Sequence, residues 1–196
     1  MKKILVTYAT MAGSTAEVAQ AVGEELTQRG LGVEVLPIKD VANLAGYDGV
    51  VVGGPMIMGW HREALGFLKR HRTALQRLPL AVFVMAMSLT RTDDMTMGDL
   101  STMVDENLPN PPKIAGKLSF KESYARLPRY LQPIISAARP AKPMSIGVFG
   151  GRMEYGRLKW WAVLFAMLII QAPAGDKRNW PAIRLWASGL ADGFLR

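Results

Sequence analysis

Short apolar runs alternate with helical segments along most of this chain, and no other feature of the sequence constrains the fold as strongly. Each apolar run is short and ends near glycine, proline or another small residue, as buried strands do. The predicted strands are Lys3–Tyr8, Val33–Pro37, Gly49–Gly53, Leu80–Met87 and Ser145–Gly150, and the predicted helices are Ala16–Arg29, Glu63–Arg77, part of Tyr124–Ala138, Leu158–Gln171 and Pro181–Phe194. This order predicts an α/β fold, in which helices cover both faces of a parallel sheet.

One stretch interrupts the alternation. Residues 92–122 contain Pro109, Pro111 and Pro112 among polar residues and show no clear period, so we predict an insertion there, between the fourth and fifth strands. The whole chain has 196 residues, which is an ordinary length for one domain. We therefore expect a single domain over residues 1–196, with this insertion inside it.

Composition excludes several kinds of chemistry. The chain has no cysteine, which excludes a disulfide scaffold, an iron–sulfur cluster, a thiolate zinc site and a cysteine nucleophile. It has two histidines, His61 and His71, so a histidine-rich metal site is not expected and we predict no metal. Any chemistry that the protein performs is therefore expected to come with a cofactor.

Positive charge is concentrated in the second half of the chain. Residues 1–98 carry a net charge of +1 and residues 99–196 carry +7, while residues 113–178 alone reach +9. Such a region can meet nucleic acid, an anionic membrane or an acidic small molecule, or it can be an ordinary solvated surface. No nucleic-acid recognition module is visible, so we expect no nucleic-acid partner.

Two apolar segments bear on location in the cell. The longest run, Trp160–Ile170, is shorter than the roughly 20 residues that span a bilayer, so we predict a helix that is either buried or at a membrane surface. The apolar residues that follow Met1 are too few for a signal peptide, and they lead directly into a turn. We therefore expect a cytoplasmic protein, with peripheral contact at the inner face of the cell membrane through residues 152–172.

The turn after the first strand has the composition of a phosphate-binding loop. Hydroxyl groups and a glycine stand between a strand and the start of a helix, where unpaired amides and the helix dipole favour an anion. The alternative is a tight turn in which Ser14 or Thr15 only caps the helix. The loop matches neither Gly-x-x-x-x-Gly-Lys-Ser/Thr nor Gly-x-Gly-x-x-Gly. Its residues are Thr10, Met11, Ala12, Gly13, Ser14 and Thr15.

These residues resemble the phosphate loop of the flavodoxin superfamily, Thr-x-Ser/Thr-Gly-x-Thr, which holds the monophosphate of FMN. Ala12 departs from the pattern, and the loss of one hydroxyl donor is expected to weaken binding by about 1 kcal/mol without abolishing it. The resemblance implies a flavodoxin-like, doubly wound sheet of five parallel strands in the order 2-1-3-4-5. It also implies that FMN is the cofactor and that the chemistry takes place on it, so no catalytic side chain is assigned.

In flavodoxin-like proteins, the loops after the third and fourth strands flank the isoalloxazine ring. The resemblance therefore implies that these two loops offer backbone amides to the ring edge. Trp60 is expected either to stack on the ring or to pack against the following helix. The residues concerned are Pro55, Met56, Ile57, Met58, Gly59 and Trp60 in the second loop, and Met87, Ser88 and Leu89 in the third.

Within the superfamily, the chain most resembles the menaquinone-dependent protoporphyrinogen IX dehydrogenase family. The likeness rests on Gly49–His61, Ser123–Arg126, Gly150–Tyr155 and the basic, aromatic and apolar stretch that begins at Arg157. It implies a role in heme biosynthesis, in which a reduced substrate with carboxylate groups passes electrons through FMN to a quinone. Arginine pairs well with carboxylates, so the expected substrate-binding residues are Arg126, Arg152 and Arg157, with Arg129 and Lys159 nearby in the sequence.

Other functions stay open at this point. A flavodoxin that carries electrons between proteins is one, although such carriers are typically acidic and this chain has a net charge of +8. An NAD(P)H-dependent quinone or flavin reductase is another, and a domain that has kept the fold but lost FMN is a third. The sequence leaves the oligomeric state open.

Overall fold

A parallel sheet forms the centre of the molecule. The computed structural model describes residues 1–57, 59–93, 95, 98–153 and 175–196. In these residues, the main sheet has six strands in the order β2-β1-β3-β4-β8-β6, and every neighbouring pair is parallel. Its strands are β1 (Lys3–Tyr8), β2 (Gly32–Pro37), β3 (Gly49–Pro55), β4 (Leu80–Ala86), β6 (Thr102–Val104) and β8 (Ser145–Gly150). The short strands β5 (Leu89–Thr90) and β7 (Pro109–Asn110) pair with each other, as do β9 (Arg152–Met153) and β10 (Gly175–Asp176).

Helices cover both faces of this sheet, which confirms the predicted α/β class. One face buries apolar residues of α1 (Ser14–Gln28) and α6 (Trp180–Leu195). The other face buries those of α2 (Arg62–Arg70), α3 (Arg72–Leu75) and α5 (Leu127–Ala138). A further short helix, α4 (Phe120–Tyr124), precedes α5. Because both faces are covered, the central strands read as continuous apolar runs, and β4 is buried along its whole length.

The sheet has one strand more than the five predicted, and the additional strand comes from the stretch predicted as an insertion. Residues Thr102–Val104 of β6 pair with β8 at the edge of the sheet. Just beyond β6, the Asp105 amide donates to the carbonyl of Val148, and the Asp105 carboxylate accepts from the Asn179 side chain. A strand of three residues is too short to show a period, which is why the sequence pattern did not predict it.

Two helix predictions also need correction. The residue that caps α1 is Gly13, in a left-handed conformation with φ 88°, and not Ser14 or Thr15. The segment predicted as one helix over Glu63–Arg77 is divided at His71 into α2 and α3. The predicted helix Leu158–Gln171 lies outside the described residues. Among the helices that are described, none is both long and apolar enough to cross a membrane.

Candidate functional site

The loops after β1, β3 and β4 meet in one cleft at the carboxyl ends of these strands. Parallel strands bring their carboxyl ends to the same edge, where α/β proteins bind ligands. The cleft brings together many of the residues predicted from the sequence. From the predicted loops it is lined by Met11, Ala12, Ser14, Thr15, Pro55, Met56, Ile57 and Met87, and beyond them by Met85, Gly151, Arg152 and Met153.

The first loop has the geometry that an anion at a helix N-terminus requires. The Thr10 Oγ1 atom accepts a hydrogen bond of 2.9 Å from the Gly13 amide, which closes the loop. Gly13 takes the left-handed conformation that side chains disfavour, and its carbonyl accepts from the amides of Ala16 and Glu17. The first amides of α1 have no partners within the helix, so they can donate to a ligand. These residues fit a phosphate group despite the missing hydroxyl at Ala12.

Four charged side chains form a cluster beside the first turn of α1. One oxygen of Glu17 accepts from Arg152 Nη2 at 2.7 Å, and the other accepts from Arg178 Nη1 at 2.6 Å. Arg178 also bonds both carboxylate oxygens of Asp176, and its guanidinium lies 4.6 Å from the centre of the Trp180 ring. Hydrogen bonds from Arg178 lower the pKa of both carboxyl groups. The cluster therefore fastens β9 and β10 to the start of α1.

The third loop is held from three sides. The Lys177 ammonium donates to the carbonyl of Met87 at 3.1 Å, and the Tyr130 hydroxyl donates to the carbonyl of Ser88 at 3.0 Å. Leu89 is buried, and the next residue, Thr90, donates its amide to the carbonyl of Ala125. Burial raises the pKa of Tyr130 to about 12, so this hydroxyl keeps its proton at neutral pH.

Trp60 is positioned by the core. Its side chain is 2% exposed, its indole N–H donates to the Gly54 carbonyl at 3.0 Å, and it packs with Ala64 of α2 in the same apolar cluster. A Cβ atom on Gly54 would lie 2.9 Å from this indole nitrogen, so the close packing depends on glycine. This burial favours packing over ring stacking for Trp60. Met58, from the same loop, lies outside the described residues.

A larger cavity adjoins the cleft on the other side of the second loop. It has a volume of about 870 Å³, within the range of about 300–1,000 Å³ of ligand pockets, whereas the cleft encloses only about 40 Å³. Met56 lines both spaces, so the two are neighbours on either side of this residue. The larger cavity is lined among others by Gly59, Trp60, Phe120, Tyr124, Arg126, Arg129 and Tyr130.

The predicted substrate-binding arginines separate into different places. Arg126 and Arg129 line the larger cavity. Arg152 lines the cleft instead, beside the phosphate loop. Arg157 and Lys159 lie outside the described residues, as does most of the predicted membrane-contact region 152–172.

Sequence analysis missed several residues of both spaces. Tyr130 and Phe120 were not predicted to line a cavity, and Lys177 and Arg178 were not predicted to support the flavin loops. Arg178 bonds Glu17, 161 residues away along the chain, and Lys177 bonds Met87, 90 residues away, so no local pattern joins them. The aromatic residues that follow the insertion were the one available signal, because aromatic side chains commonly line ligand pockets.

Comparison with known proteins places this geometry in a family. A family model described as flavodoxin domain matches residues 5–179. The chain therefore belongs to the flavodoxin domain family. The protoporphyrinogen IX dehydrogenase (quinone) of Escherichia coli strain K12 is 22% identical over 177 residues, which are 89% of this chain and 82% of that protein. The protein of the same description from Escherichia coli O157:H7 matches equally.

Solved structures agree on the fold. The chain aligns over its full length with rubredoxin oxygen:oxidoreductase from Desulfovibrio gigas, at 13% identity and a TM-score of 0.51. It aligns over 99% of its length with the Flv1 flavodiiron core from Synechocystis, at 10% identity and a TM-score of 0.55. The chain spans 36% of each of these two proteins. A short-chain flavodoxin associated with a bacterial microcompartment is matched over 99% of both chains, at 17% identity and a TM-score of 0.50.

Proposed function

We propose that the protein is an FMN-dependent oxidoreductase that passes electrons from a reduced tetrapyrrole of the protoporphyrinogen IX type to a quinone, as a step of heme biosynthesis. The observation that carries this proposal is that two neighbouring spaces share Met56 in their linings. One is the cleft with a phosphate loop, and the other is a cavity of about 870 Å³ with two arginines in its lining. A cofactor and a sizeable carboxylate substrate would thus lie side by side.

We infer that FMN is the cofactor, because the cleft combines the loop at the start of α1 with the loops after β3 and β4. The amides at the start of α1 and the hydroxyls of Ser14 and Thr15 would hold its phosphate. The second and third loops would position the ring, which accepts and donates electrons when the cofactor is bound. The methionines of these loops offer polarizable, apolar surface, and they exclude water from the ring.

The larger cavity has the chemistry of a substrate site for a flat, acidic molecule. Arg126 and Arg129 offer forked donors that match carboxylates, as in the propionates of protoporphyrinogen. The rings of Tyr124 and Tyr130 lie 6.4 Å apart at 67°, and they give the cavity an aromatic wall for a large apolar body. The wall binds the substrate, while the arginines orient it toward the cleft.

Quinones reside in membranes, so we also propose that the protein works at the cytoplasmic face of the cell membrane. The net charge of +9 over residues 113–178 supports contact with anionic lipid headgroups. Sedimentation with vesicles of anionic lipid, and its loss at high salt, would test this part separately.

The first experiment is the visible absorption spectrum of the purified protein, followed by titration with FMN. Turnover is then measured with protoporphyrinogen and a menaquinone analogue. Arg129→Gln is expected to raise KM for the tetrapyrrole about tenfold, as for the loss of one charge-assisted hydrogen bond, while flavin content stays unchanged. Arg139→Gln is the matched control, because Arg139 follows the same helix but does not line the cavity.

Three results would contradict the proposal. A colourless protein that ignores FMN would indicate a domain without the cofactor. Oxidation of NAD(P)H with quinone, in the absence of tetrapyrrole turnover, would indicate a quinone reductase. Reduction by a protein reductase without quinone turnover would indicate an electron carrier.

A further inference from the structure

We propose that Arg152 is a phosphate ligand of the cofactor, so that this chain recognises the flavin nucleotide partly by charge. This inference rests on the proposed binding of FMN. Arg152 comes from the strand that follows β8 and lines the cleft together with Ala12, Ser14 and Thr15 of the phosphate loop. It is therefore placed to supply a donor where Ala12 provides none.

The contact with Glu17 shows which end of the cleft the guanidinium occupies. Glu17 lies in the first turn of α1, three residues after Ser14, and its carboxylate is 2.7 Å from Arg152 Nη2. The start of α1 is where a phosphate would accept from the helix amides. The arginine head group thus lies beside the start of α1, where the phosphate would bind.

The charges of the cluster explain why two arginines are needed. A carboxylate in the first turn of a helix stabilises the empty helix end, but it repels a phosphate bound there. Arg178, which is not among the residues that line the cleft, also pairs with Glu17, and both carboxylate oxygens of Asp176 hold Arg178. Its side chain is 4% exposed, so Arg178 is fixed in place.

Arg152 is more exposed than Arg178. Its side chain is 15% exposed, and it borders the cleft as well as Glu17. When a phosphate binds, Arg152 can pair with it while Arg178 continues to hold Glu17. Arg178 is thus a positioning residue, and Arg152 meets the ligand.

The backbone keeps Arg152 at this position. Strand β9 pairs with β10 in an antiparallel register that sets Arg152 opposite Asp176. The carbonyl of Lys177 passes so close to Gly150 that a Cβ atom there would be 2.0 Å from it. Residues 176 and 177 therefore pack against the segment that carries Arg152 and hold its backbone in place.

The test compares two ligands that differ only in the phosphate. Apoprotein is titrated with FMN and with riboflavin, and quenching of flavin fluorescence gives each Kd. Arg152→Gln is expected to weaken FMN binding about tenfold, as for one charge-assisted hydrogen bond, and to leave riboflavin binding unchanged. Arg152→Lys keeps the charge and is expected to retain most of the preference for FMN.

A matched control is another arginine that pairs with helix α1. Arg184 pairs with Glu24 of α1 at 3.5 Å, but it does not line the cleft. Arg184→Gln removes the same charge and is expected to change neither Kd. Thermal unfolding of each variant shows whether the fold is intact.

The outcomes separate this inference from the proposed function. If Arg152→Gln leaves the ratio of the two Kd values unchanged, either by weakening both flavins equally or by weakening neither, the inference is overturned and FMN binding stands. If the wild-type protein binds neither flavin, the proposed function is overturned and the inference falls with it. A selective loss of FMN affinity supports the inference.

Discussion

The cleft and the larger cavity, which share Met56 in their linings, are formed by different kinds of structural element. The cleft is built by loops at the carboxyl ends of β1, β3 and β4, in which glycine, alanine and methionine leave room for a ligand near the backbone. The larger cavity is built mainly by side chains of α4 and α5 and their connection, with aromatic rings and arginines. The order of strands places the cleft, whereas the identity of a few side chains decides what the cavity can hold.

The linings of the two spaces come from different parts of the sequence. The phosphate loop and its helix occur within the first 28 residues, and the residues of the larger cavity occur mainly between 120 and 136. Changes in one region can therefore alter one kind of binding and leave the other intact. Tyr130 joins the larger cavity to the third loop, because its ring lines the cavity and its hydroxyl donates to the carbonyl of Ser88.

The largest expected effect comes from Gly13→Asp. The new side chain would have to adopt the left-handed φ of 88°, and its carboxylate would lie beside the phosphate position. Repulsion between two unit charges near a protein surface is about 4 kcal/mol at 4 Å, enough to abolish copurification of flavin. The absorption spectrum of the purified variant measures this loss.

Gly30→Asp is the matched control for this variant. Gly30 follows the other end of α1 with a φ of 85°, and no atom lies within 4 Å of the position of its Cβ. It therefore carries the same backbone strain and the same charge, far from the cleft. Normal flavin content in Gly13→Asp would contradict the assignment of the phosphate loop.

Gly150→Ala is expected to have the next largest effect. Its Cβ would lie 2.0 Å from the carbonyl oxygen of Lys177, so the backbone that leads to Arg178 has to move. Overpacking of this kind costs about 1–3 kcal/mol, and each kcal/mol lowers Tm by about 2–4 °C in a chain of this size. Differential scanning calorimetry measures the change.

The adjacent glycine provides the comparison. A Cβ atom on Gly151 would lie 3.5 Å from the sulfur of Met87, an ordinary contact distance, so Gly151→Ala is expected to keep its Tm. Equal Tm values for the two variants would show that Lys177 does not constrain this strand.

The residues that line the cleft were easier to predict from the sequence than those that line the larger cavity. Residues such as Gly13 and Met56 follow strands whose apolar runs are visible locally, and parallel strands necessarily bring such loops to one edge. The contact between Arg178 and Glu17 joins residues 161 positions apart, and no local sequence pattern predicts such a contact. Sequence pattern also did not predict β6, because its pairing with β8 depends on the sheet that already exists.

Tyr130→Phe tests how far the two spaces are independent. The Tyr130 hydroxyl donates to Ser88 in the third loop, while its ring lines the larger cavity. Loss of this hydrogen bond is expected to lower the free energy of unfolding by about 1 kcal/mol, as measured by urea denaturation. Burial raises the pKa of Tyr130 to about 12, so the difference from wild type is expected to be constant at all pH values around neutrality.

The Kd of FMN for the Tyr130→Phe variant provides a second measurement. Since the phosphate loop is untouched, the Kd of FMN is expected to change by less than the loss caused by Gly13→Asp. A variant that loses flavin as completely as Gly13→Asp would show that the third loop, and not the phosphate loop, dominates binding.

Glu17→Gln is expected to have the smallest effect, and its sign depends on pH. Hydrogen bonds from Arg178 hold the pKa of Glu17 below its ordinary value of 4.5, so the folded state favours the charged carboxylate. The resulting stability is present above pH 4.5 and is lost as the pH falls through the lower, folded-state pKa. Because the side chain is 41% exposed, solvent limits the contribution to about 0.2–1 kcal/mol.

Thermal unfolding across this range checks the sign. Wild type is expected to have a higher Tm than Glu17→Gln at neutral pH, and the two are expected to converge in acid, below the folded-state pKa. FMN affinity at neutral pH is expected to move the other way, because the variant no longer places a carboxylate beside the phosphate and the Arg152 guanidinium. A variant that lost both stability and FMN affinity would show that Glu17 serves mainly to hold Arg152 in place, so that the cleft depends on the cluster for its shape more than for its charge.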